Sequence, residues 1–179
     1  MSHCSCPALL LGVILFSLAA CGSSEQASKG AAEANKPSDV DLNFAGDGTA
    51  YNIDMIDISQ IAQTKTTDSA VRDLAARISQ TDTDINRQLA ALAQSKGLPV
   101  PSSVDQQHQA RFAQLQSING PAFNRAWLDQ ALPDQTMAIE TFQAEADKGT
   151  DPTLRDLAQQ SLPALLQNLQ TTQHLSGNR

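Results

Sequence analysis

Apolar positions along the chain fall into three regimes. Residues Ala8 to Ala20 are almost continuously apolar and close on small residues, and residues 22 to about 48 carry few bulky apolar side chains. From Thr49 onward apolar residues recur three and four apart, the spacing of one helical face rather than the alternation of a strand. Tyr51, Met55, Ile58 and Ala62 share a face, predicting a helix from Thr49 to Thr66 with Asp47-Gly48-Thr49 as its cap. Val71, Leu74, Ile78, Ile85, Leu89 and Leu92 trace the clearest stripe. They predict a helix from Asp68 to Lys96, capped by Thr67 or Asp68 and stopped by Gly97 and Leu98-Pro99. A shorter helix from Ser103 to Ser117 places Val104, His108, Phe112 and Leu115 on one side. Pro121 suits the first position of a helix that runs to Lys148 and carries Phe123, Trp127, Ala131, Ala138 and Phe142, of which Phe123, Trp127 and Phe142 are read as core. A last helix, Pro152 to about Leu175, shows Leu154, Leu157, Leu162, Leu165 and Leu169. Pro133 and Pro163 predict a kink in each of these two helices. The fold class that follows is all-α: four long amphipathic helices bury four stripes as an antiparallel bundle, with one extra short helix, over residues 49–176.

The two earlier regimes have other work. The run Ala8–Ala20 is shorter than the roughly 20 apolar residues that span a bilayer, and has the length of a signal-peptide core. Leu18-Ala19-Ala20-Cys21 resembles the lipobox of bacterial lipoproteins, in which Cys21 is lipidated on its thiol, becomes the new N-terminus and is acylated on its amine. Residues 1–20 are therefore read as a lipoprotein signal peptide and Cys21 as the lipidation site. Several acyl chains on one residue anchor durably where a single chain holds marginally. Gly22 rather than Asp follows the cysteine, which in the lipoprotein pattern favours the outer membrane over the inner. Residues 21–48 are read as a flexible tether, too poor in apolar surface to offset its ordering entropy. Within it Val40, Leu42 and Phe44 alternate with polar residues and are read as an extended segment packed on the domain.

Charge and cysteine count narrow the classes. Twelve Lys and Arg against nineteen Asp and Glu give a net charge of −7, which argues against nucleic acid as a partner. Of three cysteines, Cys4 and Cys6 leave with the signal and Cys21 is modified, so neither a disulfide framework nor a zinc site is expected.

An ordered series of short matches identifies a family. Lys65 and Val71-Arg72-Asp73-Leu74-Ala75, then Asn86, Leu89, Leu92-Ala93 and Lys96-Gly97, then Phe123-Asn124-Arg125-Ala126-Trp127, Asp151-Pro152 and Leu162-Pro163 together resemble the domain-of-unknown-function family 4142. Its members are bacterial envelope proteins, and the resemblance implies a ferritin-like four-helix bundle without an established activity. The family pattern carries His in three long helices. Here the corresponding pairs are Thr81-Asp82, Asp134-Gln135 and Asn168-Leu169, so all three imidazoles are replaced.

A di-iron centre in such a bundle needs about four carboxylates and two His, with Glu-x-x-His pairs facing inward. The helical region has two Glu, Glu140 and Glu145, and no Glu-x-x-His. Asp105-x-x-His108 has the i, i+3 offset but falls on a short segment and is read as a surface or partly buried pair, and His174 as a solvated residue near the C-terminus. No metal site and no cofactor are expected. Nor are catalytic residues: no Ser stands in G-x-S-x-G and no Gly-rich phosphate loop is present. One polar feature remains. Asp82 interrupts the stripe Leu74–Ile78–Ile85–Leu89, and Asp134, Gln135 and Asn168 fall at comparable levels in other helices, marking a candidate polar pocket in which Asp82, Gln135 and Asn168 cluster. The functional expectation is a non-enzymatic, membrane-anchored envelope lipoprotein that contacts an unidentified protein or small ligand. The alternative is a metal- or oxidant-handling ferritin-like protein with an atypical ligand set.

Overall fold

A computed structural model describes residues 36–101, 103 and 105–177; residues 1–20, read above as a signal peptide, Cys21 and the first part of the segment read as a tether lie outside them. All elements among the described residues are helical. They are α1 (Asp39–Asn43), a π-helical turn (Phe44–Gly48), α2 (Thr49–Lys65), α3 (Ser69–Lys96), α4 (Gln106–Ser117), α5 (Pro121–Lys148) and α6 (Pro152–Gly177).

The helix ends follow local chemistry. Asp68 caps α3 by accepting from the backbone N–H of Ala70 and Val71. At the other end Gly97 adopts a left-handed φ of 66°, where a side chain would be strained. The Leu98 N–H then reaches back to the Ala93 carbonyl at 2.9 Å and that of Gly97 to Gln94 at 3.2 Å, the paired bonds of a Schellman stop. Asp151 caps α6 through the N–H groups of Thr153 and Leu154. Both α5 and α6 continue as helix through their internal prolines, Pro133 and Pro163.

Short connections pair α2 with α3 and α5 with α6 as antiparallel hairpins, while residues 97–120, including α4, form one long crossover between them. Helix α3 packs on α2 and α6, and α5 packs on α6 and α2. Two apolar clusters fill the bundle. One joins Met55, Ile58, Leu74, Ile78, Leu115, Phe123 and Trp127; the other joins Phe44, Leu89, Phe142, Leu154, Leu162 and Leu165. The first takes the beginnings of α3 and α5, the second their ends, so these diagonal helices run parallel, the connectivity of a bundle with a single crossover.

The tether is shorter than its composition suggests. Residues 39–48 are helical and run directly into α2, so Asp47-Gly48-Thr49 is mid-helix rather than a cap. Phe44 and Ala45 are fully buried, and the Phe44 ring meets Phe142 edge-on at 4.8 Å. The alternating look of Val40, Leu42 and Phe44 hides a helical pair, Val40 and Phe44, one turn apart. Ser38 opens the helix with a capping box: Asp41 N donates to Ser38 Oγ, and Ser38 N donates to Asp41 Oδ2 at 2.6 Å.

Candidate functional site

Each long helix contributes one polar side chain to the level between the two apolar clusters. Asn52 from α2, Asp82 from α3, Gln135 from α5 and Asn168 from α6 line a cavity of about 10 Å3, closed by Met55, Ile78, Ala138 and Leu165. All four polar residues are buried. The helical repeat places them there: Asp82 lies one turn from Ile78 and Ile85, and Gln135 one turn from Ala131 and Ala138. Asp82, Gln135 and Asn168 therefore line one cavity inside the bundle. Burial pushes the Asp82 carboxyl up to about 8, so it is neutral at pH 7. Arg77 Nε donates to Asn168 Oδ1 at 2.9 Å, and Thr172 Oγ1 lies 3.0 Å from Gln135 Oε1.

Asp134, grouped with these residues by sequence position, faces elsewhere. Arg111 from α4 holds it bidentately, with both N–H···O contacts at 3.0 Å. A second, more exposed cluster forms around this pair. His108 Nδ1 sits 2.7 Å from Asp54 Oδ1, Nε2 lies 3.7 Å from Asp57, and Arg111 also reaches Asp54 at 3.4 Å. Burial and the Asp134 charge push Asp54 up to about 7; burial and the Arg111 charge lower His108. These groups seat α4 against α2 and α5. Asp105 and His108 are not a side-chain pair: the Asp105 carboxylate caps α4 by accepting from the His108 backbone N–H at 2.8 Å, and the His108 ring turns inward. Among the described residues no group of three or more His, Cys, Asp and Glu is arranged to hold a metal ion.

Asp41 lies in the segment whose composition looks like a tether, and no local pattern marks it as buried. Its buried carboxylate accepts from Ser38 N and Oγ, from Thr150 N and Oγ1, and from Asp151 N, at 2.5–3.0 Å. Burial alone would raise its pKa, yet these donors hold it far below the usual carboxylate range. Glu145, fully buried beside it, is pushed up to about 8 by burial and by the Asp41 charge. Ser38-x-x-Asp41 is a legible capping signature, whereas the partner loop at 150–151 is not.

A larger hollow lies on the outside. A groove of about 420 Å3 runs between the π-helical turn and α5, lined by Val40, Phe44, Asp47, Tyr51, Met137 and Glu140 among others. Tyr51, whose spacing suggested core, is half-buried here with its hydroxyl 3.8 Å from Met137 Sδ. Met137 is 38 % exposed. The charged lining residues, Asp47 and Glu140, are both acidic and, with burial, raise the Tyr51 pKa.

A family model described as a domain of unknown function (DUF4142) matches residues 26–175. Among solved structures, the chain is similar to a DUF305 fragment from Deinococcus radiodurans, at 17 % identity and a TM-score of 0.70, covering 80 % of this chain and 99 % of that one. It is also similar to a DUF305 protein from Streptomyces coelicolor described as secreted, at 18 % identity and a TM-score of 0.65, covering 76 % of this chain and 89 % of that one. Both likenesses concern the fold. No curated protein matches the chain.

Proposed function

The chain belongs to the DUF4142 family, and we propose that it is a non-catalytic envelope lipoprotein, anchored through Cys21, whose helical bundle binds a partner segment presenting basic side chains. The observation that carries this reading is the outer groove. Tyr51 and Met137 offer an apolar floor for the methylene stem of a Lys or Arg, and Asp47 and Glu140 offer carboxylates for its charged end. The interior cavity at Asp82 holds about 10 Å3, whereas a small-molecule site usually needs some 300 Å3 or more. The Asn168 carbonyl oxygen is already engaged there, accepting from Arg77 Nε. The anchor rests on the Leu18-Ala19-Ala20-Cys21 motif, and no helix of the described residues is long and apolar enough to cross a membrane. Gly22 in the lipoprotein pattern supports the periplasmic side of the outer membrane over the inner.

Calorimetric titration of the full chain with a short peptide of alternating Leu and Lys tests the groove. Binding is expected to weaken about tenfold, some 1.4 kcal/mol, in Glu140→Lys and again with added salt. Asp129→Lys, which reverses an exposed acid elsewhere on α5, serves as control and should leave binding unchanged. Equal losses in both variants would reduce the interaction to net charge and refute a specific groove.

A further inference from the structure

We propose that the polar layer midway along the bundle is a built site for one neutral hydrogen-bonding molecule the size of water, held among Asn52, Asp82, Gln135 and Asn168. Two independent observations point there. The cavity of about 10 Å3 has room for about one ordered water. Every polar residue of its lining also carries a buried atom without a protein partner: Asn52 Nδ2, Asp82 Oδ1, Gln135 Nε2 and Asn168 Nδ2. A buried polar atom left unpaired is costly, and four from four different helices converge on one space. One molecule that accepts from the amides and donates to Asp82 satisfies several of them together and cross-links the long helices at a single level.

The chemistry selects a neutral guest over a cation. The side-chain amide of Asn168 is oriented by Arg77, whose Nε donates to Asn168 Oδ1 at 2.9 Å; its NH2 hydrogens are therefore the atoms left to face the cavity. Arg77 also brings a full positive charge to the edge of the layer. Asp82, the one acid in the lining, is 3 % exposed and protonated at neutral pH. A metal ion would meet N–H hydrogens and an uncharged carboxyl where it needs lone pairs. Met55, Ile78, Ala138 and Leu165 close the space with apolar walls, so nothing larger fits.

The test pairs crystallography with thermal melts on the full chain. The expected result is one isolated density peak within hydrogen-bonding distance of Asn168 Nδ2 and Asp82, kept in Asp82→Asn and lost in Asp82→Leu. Asp82→Asn preserves the shape and an acceptor oxygen, so it keeps the inference testable if Asp82→Leu does not fold. Melts of the parent with millimolar Mn2+ or Zn2+, or with a chelator, should coincide. A metal-dependent rise in Tm that Asp82→Asn abolishes would overturn the inference in favour of a cation. So would a structure in which Asp82 bonds directly to Asn168 with no density between them. Neither outcome depends on the outer groove.

Discussion

Replacing Asp41 by Ala should cost the bundle the attachment of its first helix. The Asp41 carboxylate receives five hydrogen bonds, two from Ser38, two from Thr150 and one from Asp151. In Asp41→Ala the hydroxyls of Ser38 and Thr150 can turn to water, but the N–H groups of Ser38, Thr150 and Asp151 lose their acceptor. An unpaired buried donor costs about 1–3 kcal/mol; partial hydration of a site near a loop places the sum at about 3 kcal/mol. For a domain of this size that is a fall in Tm of about 6–12 °C. The loss should extend to the apolar cluster, because Phe44 is placed against Phe142 by this same segment. Urea and thermal unfolding of the full chain, followed by circular dichroism, read the effect. Asp41→Asn retains one acceptor oxygen and should fall between Ala and the parent. A stability within about 0.5 kcal/mol of the parent, the scale of an ordinary surface substitution, would refute the idea that Asp41 clasps the N-terminal helix to the α5–α6 turn.

Other substitutions test other joints. Arg111→Ala leaves Asp134, 1 % exposed, as an uncompensated acid and should destabilise by about 3 kcal/mol in denaturant unfolding; a neutral result would mean that Asp134 finds solvent. The pH dependence has a predicted sign. Asp54, Asp82 and Glu145 have folded pKa values raised to about 7, 8 and 8, so the folded state holds more protons than the unfolded one above about pH 4. Stability should therefore fall as pH rises from about 5 to 8, and Asp82→Asn should flatten part of that slope. The lowered Asp41 and Asp151 act oppositely: their contribution is lost as pH falls below the ordinary carboxylate range. Melts that stay level or improve toward pH 8 would contradict this assignment of neutral buried acids. Cys21→Ser should move the protein from the membrane to the soluble fraction of cell extracts; unchanged fractionation would refute lipid anchoring at that residue.

Helical periodicity is legible wherever one face alone is apolar, which is why the stripe from Val71 to Leu89 and the stop at Gly97 read directly from the chain. It misleads where a helix is short or widened. Phe44 sits in a π-helical turn among two glycines and an aspartate, a composition that looks like a loop, and only its burial against Phe142 shows it to be core. Asp82, Gln135 and Asn168 are readable because each breaks an apolar repeat at the same level. Asp134 differs from Gln135 by one position, a turn of about 100° that sends its side chain to Arg111 instead. Pairs such as Asp54 with His108, or Asp41 with Thr150, join residues far apart in sequence, and no local pattern names the partner.

The groove between the π-helical turn and α5 is the proposed binding face. An NMR titration of the isotopically labelled chain with the Leu/Lys peptide examines it residue by residue. Shifts are expected to concentrate at Val40, Phe44, Asp47, Tyr51, Met137 and Glu140 and to be abolished by Met137→Lys. Shifts spread evenly over the acidic surface, or centred on the Arg125–Asp129 side of α5, would contradict it.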